Sequence, residues 1–182
     1  YPDRYGAWDE SINLFTNSDC PKGNFDLIII GTPPDSHLKI LEEILDEKPK
    51  AVLIEKPLCT PFNRLKGIES SLVVKGISGF IGYDHVVSDS VEKVDGIINE
   101  GILGSITKID VEFKEYWGGI FAAHPWLAGP HESYLGYIDK GGGALCEHSH
   151  ALNLWQHFCT VSGVGKPIDI KSNLSFVNEK GM

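Results

Sequence analysis

The sequence has few of the features that mark disulfide-rich or membrane proteins. Its four cysteines, Cys20, Cys59, Cys146 and Cys159, form no C-x-x-C pair, so neither a disulfide framework nor a cysteine zinc site is indicated. No run approaches the roughly 18 apolar residues of a membrane span, and the first residues lack the basic and apolar regions of a signal peptide. We therefore expect a cytoplasmic protein with reduced thiols and no membrane contact.

An excess of positive charge is also missing. The 182 residues carry 16 Lys and Arg against 25 Asp and Glu, a formal net charge of −9. Without a basic stripe, the chain has nothing that would replace the counterions of a phosphate backbone. Nucleic acid is therefore not an expected partner.

Three short apolar runs in the first half predict buried strands: Phe25 to Thr32, Ala51 to Ile54 and Gly76 to Tyr83. Leucines at helical spacing before Pro49 predict a helix that begins at Asp35 or Ser36. Thr60 and Pro61 predict the start of a second helix. This alternation is typical of an α/β fold in which helices cover a parallel sheet.

The pattern changes near Tyr83, which predicts a domain boundary between residues 82 and 83. A helix is predicted from Asp89 to Glu100. Ser105 to Trp117 and Ile168 to Val177 alternate apolar and polar residues, as half-buried antiparallel strands do. The second half is therefore predicted to be an α+β layer with one open sheet face.

Two motifs follow predicted strands, at the sheet edge where open parallel sheets bind ligands. They are Thr32-Pro33-Pro34 with His37, and Glu55-Lys56-Pro57. A partly desolvated Lys56 at this edge can transfer a proton or polarise a substrate oxygen. The alternatives are an ordinary proline-rich turn for the first motif and an exposed ion pair for the second.

A third motif begins with the glycines at 141–143, which allow a close backbone approach, and runs into residues of helical composition. On a continuous helix Glu147, His150 and Asn153 share a face, so His150 is a candidate general base. His148 points elsewhere and is interpreted as a packing or surface residue.

The aromatic segment from residue 116 to residue 137 is the fourth candidate region. Its rings combine flat apolar faces with hydrogen-bonding edges, as the linings of substrate pockets do. The candidate substrate contacts are His124, Trp126 and Tyr134. Core packing or subunit contact is an equally good interpretation of the same residues.

Taken in order, four strings resemble the Gfo/Idh/MocA family of NAD(P)-dependent oxidoreductases over about residues 25 to 160: DLIIIGTPPDSH, VLIEKPL, GILG before an alternating strand, and GGGALCEHSH. The resemblance implies that residues 1–82 are the C-terminal portion of a Rossmann dinucleotide-binding domain. Residues 83–182 would then form a substrate domain with a mostly antiparallel sheet, through whose open face the chain is expected to form a homo-oligomer.

The resemblance also implies site residues. The family places the lysine matching Lys56 between the substrate hydroxyl and the nicotinamide, and the proline matching Pro57 is commonly cis. The residues implied along the cofactor, NAD or NADP, are Thr32, Pro33, Pro34, His37, Glu55, Lys56 and Pro57. His150 matches the family base and Glu147 its acidic partner, although the family frequently has Asp four residues before the histidine and an acid at the position of Asn153.

The front of the sequence departs from the family. Nothing before Phe25 has the form of the G-x-G-x-x-G turn that grips a pyrophosphate. The string from Gly163 to Gly165 follows no predicted strand and meets Pro167, which argues against a dinucleotide fingerprint there. The chain begins at Tyr1 without a methionine, so we expect the glycine-rich part to lie outside this sequence. The choice between NAD and NADP stays open.

The main hypothesis is an oxidoreductase that moves hydride between a nicotinamide cofactor and a secondary alcohol of a sugar, polyol or nucleotide sugar. In it His150 takes the hydroxyl proton, Lys56 stabilises the alkoxide, and Glu147 orients His150. One alternative is a metal-dependent enzyme in which Glu147 and His150 bind the ion with His124 or His131. The other is a non-catalytic relative that binds a sugar or supports an oligomer.

Overall fold

A three-stranded parallel sheet forms the centre of the first half. The computed structural model describes residues 6–23 and 25–173. Strands β1 (Leu27–Ile30), β2 (Ala51–Glu55) and β3 (Ser78–Gly82) lie in the order β1-β2-β3, and all neighbouring pairs are parallel. The predicted parallel α/β sheet is confirmed, and the carboxyl ends of its strands meet at one edge.

Helices connect these strands and bury one face of the sheet. Helix α1 (His37–Ile44) has a single 3-10 turn at each end, over 34–36 and 45–47, and α2 (Ile68–Lys75) precedes β3. The buried cluster consists of Ile30, Leu41, Val52, Ile54 and Ile77. Because alternate strand residues point to opposite faces, Val52 and Ile54 share the face on which Leu41 packs.

The second predicted helix begins later than its sequence signal. Thr60 and Pro61 lie in a turn, and α2 starts only at Ile68. The side-chain oxygen of Asn63 accepts hydrogen bonds from the Thr60 backbone N–H at 3.0 Å and from its hydroxyl at 2.7 Å. These local bonds favour a closed turn over a first helical turn.

Strand β1 is less covered than its sequence predicts. A run of isoleucines led us to expect burial on both faces, but Leu27 is 48% exposed and Ile29 is 59% exposed. Ile30 points to the opposite face and belongs to the core cluster. Only one face of β1 is packed by an element of the described part of the chain.

The second half consists of short helices and turns. The helices are α3 (Asp89–Asn99), α4 (Trp117–Ala123), α5 (Gly143–Glu147) and α6 (His150–Val161). Between α4 and α5 the aromatic segment forms three 3-10 turns, over 130–132, 134–136 and 138–140. Within residues 6–23 and 25–173, no helix has the length and apolarity needed to cross a bilayer.

The predicted antiparallel sheet is not found among the described residues. Residues 105–116 form no strand, although Ile109, Val111 and Phe113 are half-buried and the residues between them are exposed, as the alternation predicts. A strand needs a partner for its backbone groups, and no extended segment of the described chain pairs with this one. Residues 168–173 form no element, and 174–177 lie outside the described residues.

The helix predicted after the three glycines is interrupted. Helix α5 ends at Glu147 and α6 begins at His150. The Ser149 hydroxyl donates to the carbonyl of Cys146 at 2.7 Å, and the Tyr83 hydroxyl donates to Ser149 at 3.2 Å. A serine hydroxyl that donates to a helical carbonyl oxygen in this way competes with the backbone N–H groups that would otherwise bond to that oxygen. Glu147 and His150 therefore do not share the face of one helix.

Candidate functional site

Two close backbone contacts bring the glycine-rich turn to the sheet edge. A Cβ atom at Gly141 would overlap the ring of Pro34, and one at Gly142 would overlap the carbonyl oxygens of Tyr134 and Leu135. Only glycine allows both approaches. The turn therefore packs on the proline motif after β1 and carries α5, with Glu147, towards the end of β2.

Lys56 and Glu147 meet across these two parts of the chain. The Lys56 ammonium lies 2.9 Å from Oε1 of Glu147 and donates to the Glu147 carbonyl oxygen at 3.1 Å. The two side chains are only 17% and 14% exposed. Because solvent screens a pair this buried less than a surface pair, the attraction is stronger than that of a surface ion pair. An ammonium has three donors, so one N–H of Lys56 remains for a ligand.

A cleft of about 470 Å³ opens beside this pair. The residues from the sheet edge that line it include Thr32, Pro33, Glu55 and Lys56, and those from the second half include His124, Trp126, Tyr134 and Glu147. Most of the residues predicted for the site therefore share one cleft. The arrangement combines one buried cation, a carboxylate and aromatic faces, which is a setting for a polar ligand with flat apolar surfaces.

Tyr134 is a cleft residue whose pKa is strongly changed by its surroundings. Burial raises the pKa of its phenol to about 12, and the charges of Glu147 and Glu55 and a hydrogen bond to Glu147 raise it as well. The phenol is therefore neutral at physiological pH and can donate a hydrogen bond. It faces the carboxylate that also holds Lys56.

His37 is placed behind the cleft and does not line it. Its side chain is fully buried, with Nε2 2.6 Å from the Thr32 carbonyl oxygen and Nδ1 3.1 Å from the Pro57 carbonyl oxygen. The ring thus joins the turn after β1 to the turn after β2. Pro34 and Pro57 are buried beside it, and the Lys56–Pro57 peptide bond is cis. These contacts indicate a positioning role for His37.

His150 lies outside the lining of the cleft. It is 7% exposed, its ring centroid is 4.1 Å from that of His85, and its Nδ1 is 3.6 Å from Oδ1 of Asp84. Burial lowers the pKa of His150, as do the charges of His85 and Lys56, while Asp84 and Glu147 act in the opposite direction. The nearest carboxylate to Nδ1 is that of Asp84, so the predicted orientation of His150 by Glu147 does not match the observed pairing of Glu147 with Lys56.

Sequence reasoning missed Asp84 and His85. Both follow β3, the third strand whose carboxyl end reaches the same sheet edge as Lys56. The sequence also predicted β3 as a buried strand, but Phe80 is 56% and Ile81 41% exposed. The rule that identified the first two motifs, polar residues at the carboxyl end of a parallel strand, still applies to this third position. The signal was therefore present in the string after Gly82.

The predicted metal arrangement is not formed. The Glu147 carboxylate is paired with Lys56, and His131 lies in a separate groove with Pro33 and Tyr137. His124 uses Nδ1 on the carbonyl oxygen of Ile120 at 2.7 Å. The break between α5 and α6 explains why Glu147 and His150 do not converge on one ion.

The residues at the sheet edge fit one end of a dinucleotide. Gly31 leaves open space where a side chain would stand, and Thr32 and Pro33 border the cleft next to Lys56. Backbone exposed at the carboxyl end of a parallel strand is where such cofactors lie in open sheets. These residues therefore leave open space beside Lys56, at the position where a dinucleotide would lie.

A comparison with family profiles matches residues 7–76 to the Gfo/Idh/MocA family, described as an oxidoreductase family with an NAD-binding Rossmann fold. The matched residues contain β1, β2 and the Lys56 motif. The resemblance predicted from the motifs is confirmed for this part of the chain. No curated protein matches the sequence.

Solved structures share the fold at low sequence identity. An inositol dehydrogenase homologue from Azotobacter vinelandii, complexed with NADH and myo-inositol, has a TM-score of 0.53 at 22% identity over 75% of this chain. A structure of an inositol dehydrogenase homologue from that organism, complexed with NAD+, has a TM-score of 0.56 at 20% identity, also over 75% of this chain.

A third similar structure comes from a protein with a different description. A super-repressor mutant of Gal80p from Saccharomyces cerevisiae has a TM-score of 0.54 at 16% identity over 75% of this chain. This chain spans 32%, 34% and 34% of the lengths of these three structures. At such identities the likeness shows the fold alone.

Proposed function

We propose that this chain, whose residues 7–76 match the Gfo/Idh/MocA oxidoreductase family, is part of an NAD(P)-dependent dehydrogenase. The substrate is a secondary alcohol of a sugar, polyol or nucleotide sugar. Lys56 comes from the proposed nucleotide-binding unit, residues 1–82, and Glu147 from the proposed substrate unit, residues 83–182. The partly buried Lys56–Glu147 pair in the cleft is the observation that carries the proposal.

Lys56 is the central residue of the proposed reaction. Two of its N–H groups are directed at Glu147, so the third is held in a fixed direction for the substrate hydroxyl. As hydride leaves the carbinol carbon, negative charge grows on this oxygen, and a preorganised ammonium stabilises it. The single O–H of Tyr134 is donated to Glu147, so the phenol oxygen accepts a hydrogen bond from a hydroxyl of the bound sugar.

The hydroxyl proton is assigned to His150, whose lowered pKa keeps the ring neutral and able to accept it. Lys56 stabilises the alkoxide that remains, through its third N–H. His37 acts behind this step by holding the two turns in place. Hydride acceptance is the chemistry that a nicotinamide supplies when bound.

The experiment uses the complete polypeptide that contains this chain, and it has two readouts. NADH binding is followed by its fluorescence, and hydride transfer from myo-inositol, sugars and nucleotide sugars to NAD+ or NADP+ is followed by absorbance. We expect Lys56→Ala to lower kcat by about two to three decades, which corresponds to about 3–4 kcal/mol, while NADH binding changes little.

Lys39→Ala is the matched control, because Lys39 is 80% exposed and, among the described residues, pairs with Glu43 alone, at 3.9 Å. It should leave both readouts unchanged. A Lys56→Ala variant with the turnover of the unsubstituted chain would remove Lys56 from the mechanism. A complete polypeptide, with its glycine-rich turn, that neither binds NADH nor transfers hydride would contradict the dehydrogenase proposal itself.

A non-catalytic sugar-binding protein is the second candidate. The observation in its favour is that Glu147 engages Lys56 through both its carboxylate and its carbonyl, as a structural ion pair would. In this case a sugar raises the melting temperature of the chain, with no NADH fluorescence change and no turnover. Stabilisation by sugar that depends on Tyr134 and not on NAD+ would favour this candidate.

A further inference from the structure

Three side chains of ligand type meet beside the cleft, and the proposed dehydrogenase uses only one of them, His150. Asp84 and His85 follow β3, and His150 is the first residue of α6. One nitrogen or oxygen atom from each lies within 4.8 Å of the others. The cluster is therefore built from both halves of the chain, at the carboxyl edge of the sheet.

One member of this cluster has an unpaired polar atom. His150 is 7% exposed, and its Nδ1 is buried without a hydrogen-bond partner among the described residues. Oδ1 of Asp84 lies 3.6 Å from Nδ1, a distance beyond a hydrogen bond. Buried polar atoms in folded proteins nearly always have a partner, so this nitrogen points to a ligand.

We propose that Asp84, His85 and His150 form a binding site for a divalent transition-metal ion. Two imidazoles and one carboxylate are the donor set that suits Zn²⁺, Co²⁺ or Fe²⁺, whereas Mg²⁺ and Ca²⁺ prefer oxygen ligands. Small side-chain movements bring donors at these separations onto one ion. Three protein ligands leave a coordination position for water or a ligand.

The surroundings of the cluster fit a metal with access to solvent. The side chains of Asp84 and His85 are 79% and 43% exposed, so an ion can enter from their side. The ring of Phe113 lies 5.5 Å from His85 and 5.7 Å from His150 and forms an apolar wall. Asp84 and His85 already share a 2.7 Å hydrogen bond, which holds both groups on one side of the site.

Lys56 and Glu147 also act on this cluster. The positive charge of Lys56 lowers the pKa of His150, and the negative charge of Glu147 raises it. Because Lys56 and Glu147 are paired, their two effects on His150 oppose each other. The metal site shares His150 with the proposed dehydrogenase but does not depend on it. The test measures metal binding alone, so its failure leaves the dehydrogenase proposal standing, and the failure of that proposal leaves the metal site standing.

Co²⁺ and Zn²⁺ alone are the probes, titrated into the whole 182-residue chain. We expect one ion per chain, with the visible absorption bands that Co²⁺ gains on imidazole binding. His85→Gln should weaken binding at least about tenfold, since the loss of even an outer hydrogen-bond partner of a metal site costs about that much. His131→Gln is the matched control, because it removes an exposed histidine outside the cluster and should change nothing.

Nuclear magnetic resonance of the histidine rings is a second measurement that needs no substitution. Zn²⁺ should move the ring signals of His85 and His150 and leave those of His131 in place. The proposal is overturned if the chain binds no ion, if His85→Gln binds as tightly as the unsubstituted chain, or if Zn²⁺ moves the rings outside the cluster instead.

Discussion

Residues 25–82 and residues 83–173 are held together in different ways. In the first region every buried member of the apolar cluster lies between Ile30 and Ile77. The three strands of this region are joined by continuous parallel pairing. In the second region the described residues form no sheet, and buried residues such as Leu135 and Cys159 are dispersed. Close glycine contacts and polar side-chain pairs connect its short helices instead.

The difference separates two tasks. The free energy gained by burying apolar side chains is proportional to the buried area and does not depend on direction. It therefore stabilises the first region without fixing the positions of individual atoms. Ion pairs and close backbone contacts contribute less each, but they depend strongly on distance and direction. The second region therefore sets the position of Glu147 against Lys56, on a base that the first region provides.

The largest expected effect comes from Leu41→Ala. Leu41 is 1% exposed in the apolar cluster, so the truncation leaves a cavity and should lower the free energy of unfolding by about 2–5 kcal/mol. Denaturant unfolding followed by circular dichroism measures it. Val74→Ala, at a residue 85% exposed, should stay within about 0.5 kcal/mol. Equal losses in the two variants would show that the cluster is not the stabilising core.

Gly142→Ala tests the second region. The added methyl group meets the carbonyl of Tyr134, so the turn must move, at a cost of about 1–3 kcal/mol in the free energy of unfolding. Gly119→Ala, in α4 with open space around it, should instead stabilise by about 0.5–1 kcal/mol. Denaturant unfolding measures the decrease expected for Gly142→Ala and the increase expected for Gly119→Ala. An unchanged free energy of unfolding in Gly142→Ala would mean that the close contact is dispensable.

The titration of Tyr134 sharpens the description of the cleft. Its pKa of about 12 in the folded chain lies above the ordinary value of 10.0. The contribution of the neutral phenol to the free energy of unfolding is therefore fully present below pH 10 and is lost as the pH rises through about 12. Glu147→Gln removes a negative charge and should lower this pKa. Phenolate absorbance against pH measures it.

Tyr134→Phe identifies the titration step that belongs to this residue. The late step of the absorbance curve should be missing from that variant, whereas Tyr137→Phe, at a ring 40% exposed, should retain it. An unchanged late step in Tyr134→Phe would assign it to another tyrosine. A Glu147→Gln curve that matches the unsubstituted chain would mean that the carboxylate does not act on the phenol.

The smallest expected effect on the free energy of unfolding comes from removing the His157–Asp95 pair, which joins α6 to α3. Nε2 of His157 lies 2.8 and 2.9 Å from the two carboxylate oxygens, and the side chains are 25% and 23% exposed. A double-mutant cycle of His157→Ala and Asp95→Ala should give a coupling of about 1 kcal/mol or less. The Lys39–Glu43 pair, which is far more exposed, should give almost none.

The sequence predicted those features that follow from local pattern. Apolar runs predicted the three strands, and the position of Lys56 after the second run placed it at the sheet edge, where the structure has it. The start of α2 was predicted wrongly, because the Asn63 side chain captures Thr60 and no periodicity reports that contact. The extended segment over 105–116 kept its alternation but found no partner, since pairing depends on residues distant in the chain.

The candidate site was predictable in its members but not in its pairings. His124, Trp126, Tyr134, Lys56 and Glu147 line one cleft as the motifs suggested. Helical spacing assigned Glu147 to His150, because the rule assumes an unbroken helix. A serine hydroxyl on a carbonyl three residues earlier breaks that assumption, and such hydrogen bonds are decided by tertiary neighbours such as Tyr83.

The interruption at His148 and Ser149 also bears on how related chains can vary. An α-helix rotates by about 100° per residue, so one added residue in an unbroken helix would swing His150 away from its neighbours. Here α5 and α6 are anchored separately, by Lys56 at one end and by the loop after β3 at the other. A one-residue insertion or deletion at the junction is therefore absorbed locally. This reconciles the three-residue separation of acid and histidine in this chain with the four-residue separation frequent in the family that its motifs resemble.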